Sequence, residues 1–340
     1  DTSKASPLPR DLVALSIEFC YIIDYLGEVG SPNDLSYNLL NNIEEILGAP
    51  PVIRIGGDTG DAAQYNPHNN QTITNVFKPN NLEAVNVTFN SGLFQVMNEN
   101  VPENQTCIFT LNLGQDNVQY PLEEVKGVEA HLNESKLYAY ELGNEPDIYE
   151  YTGHRTEPWN VQTYAQQQVD WLSQIKREIN NTSHGFQLGA LAVDPVDQGN
   201  FSLAEINSLG VPEIVGNVKS ESDHTYPYSN CPEANTPSIS LHALMSHLHT
   251  LEYFSQWTPS IAAATSINAS FVMGETGSVS CHGAPNISNT LGAALWEMDY
   301  VLHAATLGMR RVHFHNGSPF WYSMWQPVEV NGTAPRVWPT

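Results

Sequence analysis

Basic residues are scarce in this chain. Its 13 lysines and arginines stand against 37 aspartates and glutamates, for a formal net charge of -24 over 340 residues. Nucleic-acid binding needs a basic face to meet phosphates, so that class is excluded. A role at an anionic membrane surface fails for the same reason. Long apolar runs are also missing, and no segment reads as a membrane span. Only four cysteines occur, Cys20, Cys107, Cys231 and Cys281. They are too few for a disulfide framework and lack metal-ligand spacing. Cys107 opens an apolar run and reads as a buried thiol. Cys231 and Cys281 fall in loops and are a candidate pair in an oxidising compartment. A phosphate-binding turn is absent too: Gly56-Gly57-Asp58-Thr59-Gly60 has neither the dinucleotide spacing nor the Lys-Ser/Thr of a P-loop. No cofactor is expected.

The acidic excess fits work at low pH, where protonated carboxylates relieve self-repulsion, and equally fits plain solubility. Asn-x-Ser/Thr acceptor sites are plentiful. They lie at Asn70, Asn86, Asn104, Asn133, Asn180, Asn181, Asn200, Asn268, Asn286 and Asn331, mostly between apolar runs. Together they point to a secreted, extracellular glycoprotein. The start, Asp-Thr-Ser-Lys, lacks a basic-then-apolar leader, as expected of a mature chain.

An apolar total of 41% supports a sizeable core. Eight short apolar runs recur at 12–19, 52–55, 108–113, 137–142, 186–193, 218–224, 270–274 and 312–315. Most are continuous rather than alternating, as parallel strands covered on both faces are. Amphipathic helices are predicted between them over 33–48, 160–180, 239–257 and 289–307. The first stops at Gly48 before Pro50 and Pro51. Eight strands alternating with helices predict an α/β fold, a (β/α)₈ TIM barrel over 12–340 behind an amino-terminal segment 1–11. After His315 the tail is aromatic and turn-rich without helical period. The barrel is therefore expected to be incomplete at its C-terminal end, lacking its last helix, and to be completed by a C-terminal fragment as partner.

Barrel enzymes carry their chemistry at the C-terminal ends of the strands. Those ends offer Glu18, Asp58, Asn144 with Glu145, Asp194, His224 with Tyr226, Glu275, and His313 with His315. Strands four and seven lie across the ring from each other, which sets Glu145 opposite Glu275. Two facing carboxyl groups suit glycoside cleavage, in which one protonates the leaving oxygen and the other attacks the anomeric carbon. Direct attack needs them about 5–5.5 Å apart, and their repulsion then keeps one protonated as the acid. Asn144 is expected to meet the sugar 2-hydroxyl. A rival set is His224, His313 and His315, which would make a metal-dependent barrel hydrolase.

Glu141-Leu142-Gly143-Asn144-Glu145-Pro146 and Gly274-Glu275-Thr276 resemble the strand-four and strand-seven signatures of the large clan of retaining barrel glycosidases. With Ser16-Ile17-Glu18-Phe19, Arg54-Ile55-Gly56-Gly57 and Gly283-Ala284-Pro285, the chain resembles glycoside hydrolase family 79, the β-glucuronidases and heparanases, over essentially its whole length. The resemblance implies a retaining, exo-acting β-glucuronidase, with Glu145 as acid/base and Glu275 as nucleophile. It further implies that Glu18 and Asp58 hold sugar hydroxyls and that Tyr226 sits beside the nucleophile. Gly283 and its neighbours, with Tyr322 as one of several tail aromatics, would receive the glucuronate carboxylate. It also implies a β-sandwich domain after the barrel. Small glucuronides or glucuronic-acid side chains on neutral glycans are the expected substrates, because long sulfated chains need basic clefts. A neighbouring family of the clan acting on another β-linked sugar is the alternative.

Overall fold

The structure, a computed structural model, describes residues 7–179, 184–231 and 239–339. Eight parallel strands close into a barrel: β1 (Val13–Glu18), β2 (Ile53–Gly56), β3 (Cys107–Leu111), β4 (Leu137–Leu142), β5 (Gly185–Leu191), β6 (Val218–Thr225), β7 (Ser270–Thr276) and β8 (Arg311–Asn316). Each strand pairs with its sequence neighbours, and β8 closes the ring by pairing His315 with Ser16 and Val312 with Val13. All eight predicted strands are present, with ends shifted by up to two residues. The fold is a (β/α)₈ TIM barrel.

Helices α1 (Asp34–Leu47), α2 (Gly92–Glu99), α3 (Gln119–His131), α4 (Val161–Ile175), α5 (Leu203–Ser208), α6 (Thr258–Ser266) and α7 (Leu291–Leu307) surround it. Local chemistry sets their ends. The Asn33 side chain accepts from the Ser36 amide to start α1, and Gly48, at φ 74°, ends it in the left-handed conformation that glycine takes without cost. A reciprocal Asn160/Thr163 capping box opens α4. The helix expected over 239–257 is broken instead: Leu241–Leu244, His247–Phe254 and a 3₁₀ turn precede α6. Ser240 and Ser246 each cap a separate start with their hydroxyls, which explains the interruption.

The chain beyond β2 departs from the simple strand–helix alternation. Residues 63–89 form a three-stranded sheet of Ala63–Tyr65, Ala84–Phe89 and Ile73–Phe77 rather than a helix. Phe89 packs this sheet onto the barrel through Phe19, Phe94 and Phe109. After β8, Trp325–Gln326 pairs with Arg336–Val337, and no helix follows among the described residues. No helix among the described residues is long and apolar enough to cross a membrane.

The barrel interior is polar. Outward residues such as Leu15, Ile17, Ile53 and Ile55 join the core beneath the helices. On the inner face Ala14, Val52, Ile108 and Ala139 make a small apolar floor. Above it, Glu141 accepts from Arg54 Nε (2.7 Å), Thr110 Oγ1 (2.9 Å) and Gln187 Nε2 (2.6 Å), while Ser220 donates to Gln187 (2.7 Å). A buried charge is tolerated only when it is paired and hydrogen-bonded. Here the pairing extends one layer up, to the mouth.

Candidate active site

Arg54 connects the barrel interior to the mouth. Fully buried on β2, its guanidinium reaches Glu141 below and Ser16 Oγ (3.1 Å), Glu275 Oε2 (2.8 Å) and Asn144 Oδ1 (2.8 Å) above. A rigid fork of five donors is suited to holding several acceptors in fixed positions. The only charged residue in an otherwise apolar strand run is the sequence signal for such a network. Sequence reasoning quoted Arg54 but assigned it no role.

Glu275, near the end of β7, is held from both sides. Tyr226 Oη donates to its Oε1 (2.7 Å) and Arg54 to its Oε2, with His315 Nδ1 3.4 Å away. Burial alone would raise its pKa. The positive charges of His315 and Arg54, the His224 imidazole and the Tyr226 hydrogen bond overcome that and lower it to about 2. His315 is itself pinned by Ser16 (2.9 Å) and by Glu18 Oε2 (3.0 Å). Burial disfavours its charge, but Glu275 and Glu18 outweigh this and raise its pKa.

Glu145 follows β4 in a left-handed conformation, φ 53° and ψ 49°, uncommon for a residue with a Cβ. Its amide donates to the Ala190 carbonyl (2.9 Å), and the next carboxylate, Asp147, accepts from the Ala192 and Val193 amides (2.9 and 2.8 Å). The β4 loop is thus pinned to the end of β5. His224 Nδ1 lies 3.1 Å from Glu145 Oε1. Burial and the neighbouring Arg54 keep His224 well below the usual imidazole range, so it is neutral. Burial and the charge on Glu275 push Glu145 well above the usual carboxyl range. One oxygen of Glu145, one of Glu275 and a His224 nitrogen all lie within 4.8 Å of one another. The two carboxyl groups therefore stand close, with separated protonation states: Glu275 ionised and Glu145 protonated.

The pair opens into a pocket of about 630 Å³. Glu18 lines it, tied to the Thr59 amide (2.8 Å) and hydroxyl. Asp58 is exposed to it, and its burial in the cleft together with Glu83 and Glu145 raises its pKa. Asn144 sits behind this wall, since its Oδ1 takes Arg54 and its Nδ2 donates to Asp58 Oδ1 (2.9 Å). Asp58, with Asn144 at its back, is thus the group of the two that faces the pocket. Tyr226 and Tyr322 lie ring to ring, 5.7 Å apart, on the opposite wall.

Gly283 requires a correction. Its amide donates to the Val279 carbonyl (3.0 Å), and a Cβ there would meet the Tyr322 amide nitrogen at 2.7 Å. It packs beneath Tyr322 and offers the pocket no donor. Cys281 and His282 line the pocket instead. Residues 281–283 run through three successive positive φ values, 58°, 76° and 83°. The Cys281 and His282 amides have no hydrogen bond to a described residue, which leaves two consecutive main-chain donors open in this turn. Cys281 is joined to Cys231 by a disulfide, and His282 Nε2 pairs with Glu83 Oε1 (2.8 Å). Of Gly283 and its neighbours, which the sequence named together, Cys281 and His282 line the pocket and Gly283 does not. Gly283→Ala is expected to cost about 1–3 kcal/mol of stability through the positive φ and the crowding at Tyr322, measurable by denaturant unfolding.

The histidine set proposed for a metal does not converge. His313 Nδ1 faces the Leu15 carbonyl (3.2 Å) inside the barrel, and His315 is engaged by Ser16 and Glu18. Among the described residues, Glu145, His224 and Glu275 form the one metal-like grouping. Arg54 occupies one oxygen of Glu275 and Tyr226 the other. A cation there would face a guanidinium across its own ligand, so the donor set does not fit a metal.

Of the acceptor asparagines, Asn70, Asn104, Asn133, Asn200, Asn268, Asn286 and Asn331 are exposed and Asn86 is half-buried, whereas Asn180 and Asn181 lie outside the described residues. Cys20 and Cys107 are buried free thiols.

No protein-family model matches the chain. It is 30% identical to a β-glucuronidase of Neurospora crassa, over 97% of this chain and 61% of that one. It is also 30% identical to a β-glucuronidase of Aspergillus niger, over 97% and 62%. The chain thus spans about three fifths of the length of these relatives. Among solved structures, a 4-O-α-L-rhamnosyl-β-D-glucuronidase from Fusarium oxysporum 12S superposes with a TM-score of 0.79 at 24% identity, covering 94% of this chain and 66% of that one. An arabinofuranosidase from Xanthomonas axonopodis pv. citri superposes at 0.62 with 14% identity, over 94% and 69%. These likenesses establish the shared barrel fold.

Proposed function

We propose that this protein is a retaining, exo-acting β-glucuronidase that releases glucuronic acid from small glucuronides or from side chains of neutral glycans. The observation that carries this reading is the pairing of an ionised Glu275 with a protonated Glu145, with oxygens within 4.8 Å. Inverting hydrolysis needs a wider gap, about 6.5–9.5 Å between the carboxyl groups, to admit a water. Glu275 attacks the anomeric carbon while Glu145 gives its proton to the departing oxygen. Glu145, now ionised, then takes a proton from the water that attacks the glycosyl ester, and Glu275 leaves as carboxylate. Tyr226 and Arg54 hold Glu275 in line for both steps.

The sugar is inferred from the two fungal relatives and from the open amides of Cys281 and His282. No lysine or arginine among the described residues lines the pocket, so the glucuronate carboxylate is received by neutral donors, those amides with Tyr322 beside them. The exposed acceptor asparagines and the Cys231–Cys281 disulfide support secretion as a glycoprotein.

Release from 4-nitrophenyl β-glucuronide, β-glucoside, β-xyloside and β-galactoside tests the sugar. The glucuronide should be cleaved fastest, and a faster neutral sugar would overturn the assignment. Proton NMR of the first product tests the mechanism, with the β-anomer expected before mutarotation and the α-anomer contradicting retention.

The pH dependence follows from the same groups. Turnover needs Glu275 ionised, which holds above about 2, and Glu145 protonated, which is lost as pH rises through its elevated pKa. Ionisation of Asp58 on the same rise adds negative charge facing an anionic sugar. kcat/KM is therefore expected to decline on the alkaline side and to persist into strongly acidic solution, as a pH–rate profile would show.

A further inference from the structure

One buried carboxylate near the mouth has no part in the mechanism above. Asp61 lies in the 3₁₀ turn Gly60–Ala62 that follows β2, and it does not line the pocket. Its side chain holds the loops after β3 and β4. Oδ1 accepts from the amides of Leu113 (3.1 Å) and Gly114 (3.0 Å). Oδ2 accepts from the amide of Asn144 (3.1 Å) and from the Tyr149 hydroxyl. An ionised carboxylate is an acceptor only, and four donors fill its four lone-pair sites. Close packing surrounds the contact. A Cβ on Gly114 would meet the Asp61 Cβ at 2.6 Å, and one on Gly143 would meet Tyr149 Oη at 2.9 Å. Arg155 donates to the Leu113 and Gly114 carbonyls (2.8 and 3.1 Å) and lies over the Tyr149 ring.

The two groups on Oδ2 bracket the acid. Asn144 precedes Glu145, and Tyr149 ends the turn Pro146–Ile148 that follows it. Glu145 itself is left-handed, a conformation that costs free energy and persists only where surrounding contacts fix it. Its amide donates to the Ala190 carbonyl (2.9 Å), and its carbonyl accepts from the Ile148 amide (3.1 Å). These bonds tie the turn to β5 and to itself, and Asp61 ties it to the end of β2. Glu275 is held by different groups, Arg54 and Tyr226.

We propose that Asp61 is a positioning residue for the acid/base. By gripping Asn144 and Tyr149 on either side of Glu145, it fixes the strained turn that aims the Glu145 carboxyl at the glycosidic oxygen. The proposal rests on the reading of Glu145 as general acid.

The test is kcat/KM for a series of aryl β-glucuronides, from 4-nitrophenyl through phenyl to 4-methoxyphenyl. In a retaining enzyme this constant reports formation of the glycosyl ester, the step in which the acid gives its proton. Asp61→Asn keeps the side-chain shape but sets an NH₂ group against a donor that the carboxylate accepted. Its loss relative to the unmodified chain should be about tenfold or more greater on 4-methoxyphenyl than on 4-nitrophenyl β-glucuronide, because the poorer leaving group needs the proton more. Tyr149→Phe, which removes one of the four donors, should shift the series the same way by less. An equal loss across the series, or none, would overturn the proposal, since a misplaced Glu275 or a smaller folded fraction slows every leaving group alike. If Asp61→Asn does not fold, Tyr149→Phe decides by the same outcomes. If the unmodified chain cleaves no aryl glucuronide, the general-acid reading fails, and a crystal structure of either variant decides the positioning. Glu145 displaced from its φ of 53° supports it, and an unmoved Glu145 refutes it.

Discussion

Glu275→Ala is expected to lower kcat on any glucuronide by about 10⁴-fold or more, with the fold intact. The side chain accepts from Tyr226 and Arg54 and is the only carboxylate at the mouth that both hold. Its removal leaves Arg54 paired with Glu141 and Asn144, so the network beneath survives. The lost carboxylate also leaves room for a small anion. Added azide should therefore restore turnover by attacking the anomeric carbon from the face that Glu275 used, yielding the α-glucuronyl azide. Activity near that of the unmodified chain would show that another residue is the nucleophile.

Glu145→Ala should behave differently, and the difference separates the two roles. A positioned general acid contributes about 10²–10⁴-fold, and only where the leaving oxygen needs a proton. A glucuronide of a sugar alcohol should lose that full factor. 4-Nitrophenyl glucuronide, whose leaving group departs unaided, should form the glycosyl ester readily and then stall for want of a base. The expected signature is a burst of nitrophenol followed by slow turnover, accelerated by azide to give the β-azide. Equal losses on both substrates would argue that Glu145 only shapes the pocket. His224, neutral and 3.1 Å from Glu145, steadies the acid without competing for positive charge.

These two residues were legible in the sequence because the motifs that hold them end recognisable strands. Continuous apolar runs such as Phe271-Val272-Met273 identify a doubly covered strand, and Gly274-Glu275 marks where it meets solvent. The same logic does not reach the inside of the barrel. Glu141, Gln187, Ser220 and Arg54 are hydrophilic yet almost fully buried, because they satisfy one another across strands far apart in sequence. Such pairing is invisible to a periodicity argument, which sees neighbours only. The sheet of 63–89 was missed for a related reason: its strands are half-exposed and mix polar with apolar residues, without the strong apolar run that marks a barrel strand.

The turn at Cys281 and His282 illustrates a second limit. Its open donors are the main-chain amides of Cys281 and His282, in a run of three left-handed residues of which only Gly283 is glycine. Composition directs attention to Gly283, whose conformational freedom shapes the turn while its own amide is spent on Val279. The disulfide to Cys231 and the His282–Glu83 contact hold the two non-glycine residues in place.

The central claim is that Glu275 forms a covalent bond to the sugar. Incubation with 2-deoxy-2-fluoro-β-glucuronyl fluoride tests it most directly. Fluorine at C2 slows both steps, while fluoride departs from C1 readily, so the glycosyl ester accumulates. Peptide mass spectrometry is predicted to find the fluoroglucuronyl mass on Glu275, within Ser270–Thr276, and nowhere else. A label on Glu145 or Glu18, or complete turnover without any label, would contradict the account.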